Sequence, residues 1–146
     1  MLDIGAGNGA LTAPLLAAGA RVIAVELHPR RLEALRDRFA NDDVTVVKAD
    51  ASSLRLPRRP FRVVANPPFN ITTALLRRLL APGSRLVAAD LVLPRHAVVR
   101  WASGQAPGAH RWQASHQLQV GARLPRAAFV PHATTDCMTL IVRRRW

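Results

Sequence analysis

The sequence predicts one α/β domain built on a doubly wound, mostly parallel sheet of seven strands. Short apolar runs rich in β-branched residues alternate with helix-like stretches, which is the order of a parallel sheet covered by helices. A glycine-rich turn follows the first run, and 146 residues is the length of a single domain. We expect strands at residues 2–4, 22–25, 44–47, 62–65, 86–93, 117–122 and 135–143, and helices at residues 10–18, 29–39, 72–80 and 96–101.

Local patterns support the individual elements. The strand segments have the near-continuous hydrophobicity of strands that are buried on both faces. In the second helix, Pro29 suits the first turn, and Leu32, Leu35 and Phe39 recur at helical spacing.

The amino-terminal end is unusual in two ways. The first strand has three residues before its glycine turn, whereas a central strand usually has about five or six. Pro14 falls inside the first helix, which favours a helix that begins near Thr12 as its N-cap.

Composition excludes several classes of protein. The chain is 49% hydrophobic but has no apolar run near the length of a membrane span. Its single cysteine, Cys137, excludes an internal disulfide and agrees with a reducing cytoplasm. The five histidines are scattered, which argues against a metal site. We therefore expect a cytoplasmic protein without metal and without membrane contact, and we expect it to be a monomer.

The charge is strongly basic and unevenly spread. The chain has 21 basic and 9 acidic residues and a net charge of +12. Residues 1–50 are nearly neutral, whereas residues 51–146 contain only two acids, Asp90 and Asp136. Such an excess of positive charge favours a polyanionic partner, and nucleic acid first.

A glycine turn follows the first strand in the segment "DIGAGNG", residues 3–9. Glycines at such a turn let the backbone approach a ligand closely, and Glu26 after the second strand could hold ribose hydroxyls. Gly5, Gly7 and Ala10 also satisfy the relaxed dinucleotide fingerprint, so this turn alone leaves NAD and S-adenosylmethionine open.

Three acids, Asp3, Glu26 and Asp50, stand at the ends of three successive predicted strands. Asp50 could accept a hydrogen bond from an adenine amino group, although a carboxylate that caps the following turn is the alternative. Acids at these positions suit the positive sulfonium of S-adenosylmethionine better than a pyrophosphate. The motifs therefore divide the domain into a cofactor half, residues 1–50, and a basic target half, residues 51–146.

The segment Asn66-Pro67-Pro68-Phe69 directly follows the fourth strand. Prolines fix the backbone and remove N–H donors, so the turn presents carbonyls and the Asn66 side chain outward. Asn66 Oδ1 and the Pro67 carbonyl can accept both hydrogens of an exocyclic amine. Phe69 can stack on a base taken out of its helix.

Arg55, Arg58, Arg59 and Arg62 precede this turn, and we expect them to border the target pocket and bind nucleic-acid phosphates. A solvated surface is the alternative. Two more arginines, at 77 and 78, suit a solvated helix face equally well. The tryptophans at 101 and 112 are either base contacts or core residues, and the sequence does not decide between these two roles.

Four segments, "LDIGAGNG", "VELH", "KADA" and "ANPPFNITTALL", together resemble the adenine N6-methyltransferases of ribosomal RNA. These are the erythromycin-resistance (Erm) type and the related enzymes that dimethylate small-subunit RNA. The tetrapeptide N-P-P-F alone is shared with DNA adenine and protein glutamine methyltransferases, but its continuation N-I-T-T is similar to the ribosomal RNA enzymes. Near the end, "FVPHATTDCMTLIVRRR" resembles a strand of the same family.

This resemblance implies a Rossmann-like, S-adenosylmethionine-dependent methyltransferase domain over residues 1–146. The implied activity is transfer of methyl to N6 of an adenine in ribosomal RNA, 23S rather than 16S, with resistance to macrolide-class antibiotics as its effect. The implied target residues are Asn66, Pro67 and Phe69. The predicted cofactor residues are Asp3, Gly5, Gly7, Gly9, Glu26, Leu27, Asp50, Ala51 and Asn66. With RNA as the implied substrate, Arg55, Arg58, Arg59 and Arg62 are the predicted RNA-binding residues.

The 146 residues include neither the family's upstream "Q-N-F" segment nor its small helical domain after the sheet. We therefore expect a domain truncated at the amino terminus and lacking the C-terminal helical domain. The alternatives are a small-subunit ribosomal RNA dimethyltransferase, a DNA adenine or protein glutamine methyltransferase, and a truncated, non-catalytic RNA-binding remnant.

Overall fold

The computed structural model describes residues 1–129 and 132–146. Strands and α-helices alternate along most of the chain, as the sequence predicts. The elements are β1 (Leu2–Ile4), α1 (Thr12–Ala17), β2 (Val22–Glu26), α2 (Pro29–Arg38), β3 (Val44–Lys48), β4 (Phe61–Ala65), α3 (Thr72–Leu79), β5 (Leu86–Pro94), α4 (Arg95–Ala102), β6 (His116–Leu124) and β7 (Cys137–Arg144). Short 3-10 turns at Phe69–Ile71, Ala109–Arg111 and Arg126–Ala128 lie between them.

The seven strands form one sheet in the order β3-β2-β1-β4-β5-β7-β6. The first five strands are parallel, and β7 runs antiparallel to both β5 and β6. The doubly wound, mostly parallel sheet is therefore confirmed, with the three-residue β1 at its centre.

This topology gives the sheet two distinct edges. The parallel strands all end at one edge, which we call the carboxyl edge, and begin at the other, the amino edge. Because Pro94 at the end of β5 pairs with Cys137 at the start of β7, the connection between β6 and β7 also lies at the carboxyl edge. Ligands of open α/β sheets bind at such an edge.

Helix α1 begins at Thr12, two residues after the start of the predicted range 10–18 and close to the start that Pro14 favours. Its N-cap is Leu11, so Pro14 is the third residue of the helix, where no intrahelical N–H bond is lost. The prediction of Thr12 as N-cap is wrong, because its hydroxyl donates instead to Asp3 Oδ2 at 2.6 Å. The other predicted elements agree with the structure to within one or two residues at their ends.

Two of the three tryptophans are core residues. Trp101 and Trp112 are 3% and 6% exposed, and their rings stack with centroids 6.0 Å apart. They belong to the same apolar cluster as the buried leucines of α3 and β5. No helix in the described part of the chain has the length and apolarity of a membrane span.

Candidate active site

A cleft of about 720 Å³ opens along the carboxyl edge, and we call it the carboxyl-edge cleft. Its walls are the turns after β1, β2, β3 and β4 together with part of the β6–β7 connection. Most of the site residues predicted from the sequence line it: Gly5, Glu26, Leu27, Asp50, Ala51, Asn66, Pro67 and Phe69.

The turn after β1 is held against both neighbouring strands. The N–H groups of Gly5 and Ala6 donate to the Val25 carbonyl at 2.9 and 3.0 Å. A Cβ placed on Gly5 would lie 3.4 Å from both the Asn66 carbonyl oxygen and Pro67 Cα. The glycine turn and the Asn66 turn are therefore in backbone contact.

The Glu26 carboxylate accepts three backbone hydrogen bonds, one of them from the glycine turn. Its Oε2 accepts the Gly7 N–H at 2.8 Å, and its Oε1 accepts the N–H groups of Leu27 and His28 at 2.9 Å each. Glu26 is only 7% exposed, and backbone donors fix its orientation. Since a carboxylate has about four lone-pair sites, Oε2 retains capacity for a ligand hydroxyl.

The other two glycines of the turn have different surroundings. Gly7 has an open side, where the nearest atom to an added Cβ is a carbonyl oxygen of the same turn at 4.0 Å. Gly9 is packed under α2, because an added Cβ would lie 2.5 Å from Phe39 Cε2 and 3.3 Å from Arg38 Nη1. Arg38 also donates to the Asn8 carbonyl at 2.7 Å. Neither glycine is in the cleft wall, and their predicted cofactor contacts stay predictions.

Asp3 does not line the cleft, contrary to the view of three acids gathered around one ligand. Its side chain is fully buried, with Oδ2 bonded to the Thr12 hydroxyl and Oδ1 without a partner among the described residues. Burial raises the pKa of this carboxyl, the bond from Thr12 partly opposes that rise, and the charge of Glu26 adds to it. In this structure Asp3 links β1 to α1.

Asp50 lies at the cleft and is exposed. Its Oδ1 accepts both the N–H of Ser52 at 2.8 Å and the hydroxyl of Ser52 at 2.7 Å. These two bonds, the hydroxyl first, lower the pKa of Asp50 below its usual value and keep it ionised. The turn-capping role and the cleft position are therefore combined in one carboxylate.

In the segment after β4, a buried proline separates an exposed asparagine from a partly exposed phenylalanine. Pro67 is buried, whereas the Asn66 side chain is exposed at the cleft. Phe69 is 36% exposed and starts a 3-10 turn that leads into α3. The predicted amine-binding and stacking groups are thus adjacent in one cleft.

The four predicted RNA-binding arginines do not border this cleft. Arg62 lies near the start of β4, and that five-residue strand extends about 16 Å to the carboxyl edge. Arg55 and Arg58 line a separate depression, and Arg59 and Arg62 lie near the amino terminus at Met1. The expectation that they border the target pocket is wrong, because the chain crosses the sheet between residue 55 and residue 66.

Several lining residues were missed by sequence reasoning. Arg31 reaches the cleft from the first turn of α2, and the β6–β7 connection contributes Phe129, His132, Ala133 and Thr134. The "FVPH" segment was the available signal, since it stood out by family resemblance. Its Val130 and Pro131 lie outside the described residues. In residues 1–129 and 132–146, no group of three or more His, Cys, Asp or Glu side chains is placed to hold a metal ion.

Comparison with known proteins identifies the family. The model of the ribosomal RNA adenine dimethylase family matches residues 1–136. The chain therefore belongs to this family, which confirms the resemblance noted in the sequence.

Individual relatives agree with this assignment. The mycinamicin-resistance protein MyrB of Micromonospora griseorubida is 37% identical over 148 residues, covering 99% of this chain and 47% of MyrB. An rRNA adenine N-6-methyltransferase of Corynebacterium diphtheriae is 33% identical, covering 99% of this chain and 57% of that protein. The crystal structure of the 23S rRNA methyltransferase ErmE matches with a TM-score of 0.87 at 25% identity, covering 99% of this chain and 60% of ErmE. The chain thus spans about half the length of the curated relatives it matches.

Proposed function

We propose that this chain is the methyl-transferring domain of an S-adenosylmethionine-dependent enzyme that methylates N6 of an adenine in ribosomal RNA. The observation that carries the proposal is the carboxyl-edge cleft. It joins the Glu26 and Asp50 carboxylates to the Asn66-Pro67-Pro68-Phe69 turn in one space of about 720 Å³. Family membership supplies the reaction class.

The residues of the cofactor side fit S-adenosylmethionine. Glu26 is held by three backbone donors and keeps acceptor capacity for ribose hydroxyls. Asp50 is ionised, and its second oxygen has no hydrogen-bond partner among the described residues, which suits an adenine amino group. The open side of Gly7 leaves room for close approach of a ligand to the backbone.

The residues of the target side fit an exocyclic amine. Asn66 Oδ1 and the Pro67 carbonyl can each accept one hydrogen of the amine, which draws its lone pair out of conjugation and toward the donor. Phe69 offers a partly exposed ring on which the extruded base can stack. Because Gly5 is in backbone contact with this turn, the two ligands are held at a short, fixed separation.

S-adenosylmethionine supplies an already activated methyl group on its sulfonium. The protein's contribution is therefore orientation and polarisation of the amine, rather than strong general-base catalysis. Rigid prolines and the bonded Glu26 carboxylate provide that orientation before the ligands arrive.

We propose 23S rRNA as the substrate and macrolide resistance as the effect, and two relatives support this choice. Two comparisons that cover 99% of the chain are with a 23S rRNA methyltransferase and a mycinamicin-resistance protein. We further propose that the chain works as a monomer in the cytoplasm, where ribosomes are assembled. The second candidate substrate is 16S rRNA, since the small-subunit methyltransferase A of Pseudomonas putida is 35% identical over 118 residues.

The test is transfer of labelled methyl to 23S and 16S rRNA transcripts, alongside calorimetric titration with S-adenosylmethionine. We expect cofactor binding, with label entering 23S rRNA as N6-methyladenine. Asn66→Ala should abolish transfer while leaving cofactor affinity within about twofold, and Asn41→Ala, at an exposed position away from the cleft, should change neither.

Label in 16S rRNA alone would move the substrate to the small subunit. Failure to bind S-adenosylmethionine would contradict the proposed chemistry. Equal loss of binding and transfer in Asn66→Ala would contradict its assignment to the target amine.

A further inference from the structure

A second basic site lies far from the carboxyl-edge cleft. Arg55, Arg58, Arg78 and Arg85 line a depression of about 440 Å³, which we call the distal arginine cleft. It is formed by the loop before β4, the end of α3 and the turn before β5, and therefore lies toward the amino edge of the sheet.

The charges of this cleft are not neutralised by carboxylates. Among the residues that the structure describes, no acidic side chain lines it. The side chains of Arg55, Arg58 and Arg85 are exposed and have no hydrogen-bond or ion-pair partner in the part of the chain that the structure describes. The four ion pairs of the described residues all use other arginines.

Two further arginines are fixed to the backbone around this depression. Arg78 donates to the carbonyl of Leu54, which ties α3 to the loop before β4. Arg144 donates to the carbonyl of Ser84 at 3.0 Å, on the turn that forms the cleft's other wall. These bonds hold two walls of the cleft in place.

We propose that the distal arginine cleft binds the phosphate backbone of the RNA substrate at a point remote from the target adenine. Several unpaired guanidinium groups in one concave site repel each other and are stabilised by a polyanion, and guanidinium binds phosphate with two parallel hydrogen bonds. The five-residue β4 alone separates the two edges by about 16 Å. The substrate therefore has to extend well beyond its target nucleotide to occupy both sites.

This inference deepens the proposed function, because it takes ribosomal RNA as the polyanion. It divides the basic half of the chain into a target site that binds one base and a distal site that binds phosphates of the surrounding RNA. Two measurements separate these sites. Methyl transfer depends on the target site, and the salt dependence of RNA affinity reports phosphate binding at the distal arginine cleft.

The experiment measures the affinity of the 146-residue chain for a 23S rRNA transcript as a function of salt. The variant Arg58→Gln with Arg85→Gln removes two charges of the cleft without breaking a described hydrogen bond. The control, Arg30→Gln with Arg36→Gln, removes two exposed charges from α2. A 16S transcript and a DNA duplex serve as competitors.

We expect the slope of log affinity against log salt to become shallower by about 1.4 to 1.8 in the cleft variant. The ratio of the wild-type RNA affinity to that of the cleft variant should therefore fall about ninefold as the salt concentration rises from about 50 to about 200 mM. The control should keep the wild-type slope, and both variants should keep the wild-type affinity for S-adenosylmethionine.

Equal slopes for the cleft variant and wild type would overturn the inference, whether or not methyl is transferred. A changed slope without any methyl transfer to RNA would leave the distal cleft as an RNA site and contradict the proposed reaction instead. DNA that competes as well as either RNA would assign the cleft to duplex DNA and overturn the inference as stated.

Discussion

The ring of Phe39 lies directly against Gly9, so that a Cβ added to Gly9 would stand 2.5 Å from Cε2 and 2.8 Å from Cζ. Phe39 is 7% exposed and packs in a small cluster with Leu35, Ala24 and Ala6, which limits its freedom to move away. The end of α2 therefore holds the far end of the glycine turn.

Replacing Gly9 by alanine should destabilise the protein more than the same change at Gly19. Both glycines have positive φ, +92° and +84°, so both alanines are strained by about 1 to 2 kcal/mol. Only Gly9 adds a clash with a buried ring, which costs about 1 to 3 kcal/mol more. Urea unfolding of the two variants gives the difference, and equal losses of stability would contradict the packing role of Phe39.

Replacing Gly7 by alanine should impair cofactor binding more than folding. Its φ is +57°, and an added Cβ meets no atom closer than 4.0 Å, so the stability loss should equal that of Gly19→Ala. If S-adenosylmethionine occupies the open side of this turn, calorimetry should show affinity reduced about tenfold or more, with Gly19→Ala as the unaffected control. An unchanged affinity would place the cofactor elsewhere.

His116 should make the stability depend on pH. His116 is 2% exposed, and burial lowers the pKa of its imidazole below 6.5. The hydrogen bond to the Leu86 carbonyl raises this pKa, and the positive charge of Arg144 lowers it further. The Leu86 carbonyl can only accept, so Nε2 carries the proton, and Nδ1 faces the Ser115 hydroxyl at 2.9 Å.

The unfolded chain therefore binds a proton at a higher pH than the folded chain does at this site. The neutral His116 ring makes its full contribution to the free energy of unfolding above about pH 6.5. This contribution declines as the pH falls below that value toward the pKa of His116 in the folded protein. Unfolding free energies of wild type and His116→Gln should accordingly converge as the pH is lowered from about 7.5 to about 5.5. A constant difference across that range would exclude the titration of His116 as the cause.

Cys137 should behave as a reporter of unfolding. Its thiol is fully buried at the start of β7, and burial first, with Asp136 second, raises its pKa. Because the thiolate is the reactive form, a disulfide reagent at pH 8 should label the native protein at least about 100-fold more slowly than the urea-unfolded protein. Cys137→Ser supplies the blank, and rapid labelling of the native chain would contradict the burial.

The sequence predicted the sheet and most of the candidate site for one physical reason. Strand ends, glycine turns and the Asn66 turn are local patterns, and parallel pairing brings such ends together at one edge. Glu26 and Asp50 could thus be assigned to the same cleft without knowledge of side-chain packing.

Long-range placement accounts for what the sequence did not predict. Arg62 is only four positions from Asn66, yet a strand carries the chain to the opposite edge between them. Phe129 and Thr134 line the same cleft as Gly5 because of the antiparallel return of β7, which no local pattern indicates. Asp3 stands at a strand end where a contact with the cofactor was predicted, but its buried Oδ2 accepts a hydrogen bond from the Thr12 hydroxyl instead.

The backbone contact between Gly5 and the Asn66-Pro67 peptide also bears on inhibitor design. In the proposed function this wall separates the cofactor from the target base, so the main chain sets the spacing of the two ligands. A bisubstrate compound that joins an amino-acid nucleoside to an adenine through a very short rigid linker would match that spacing.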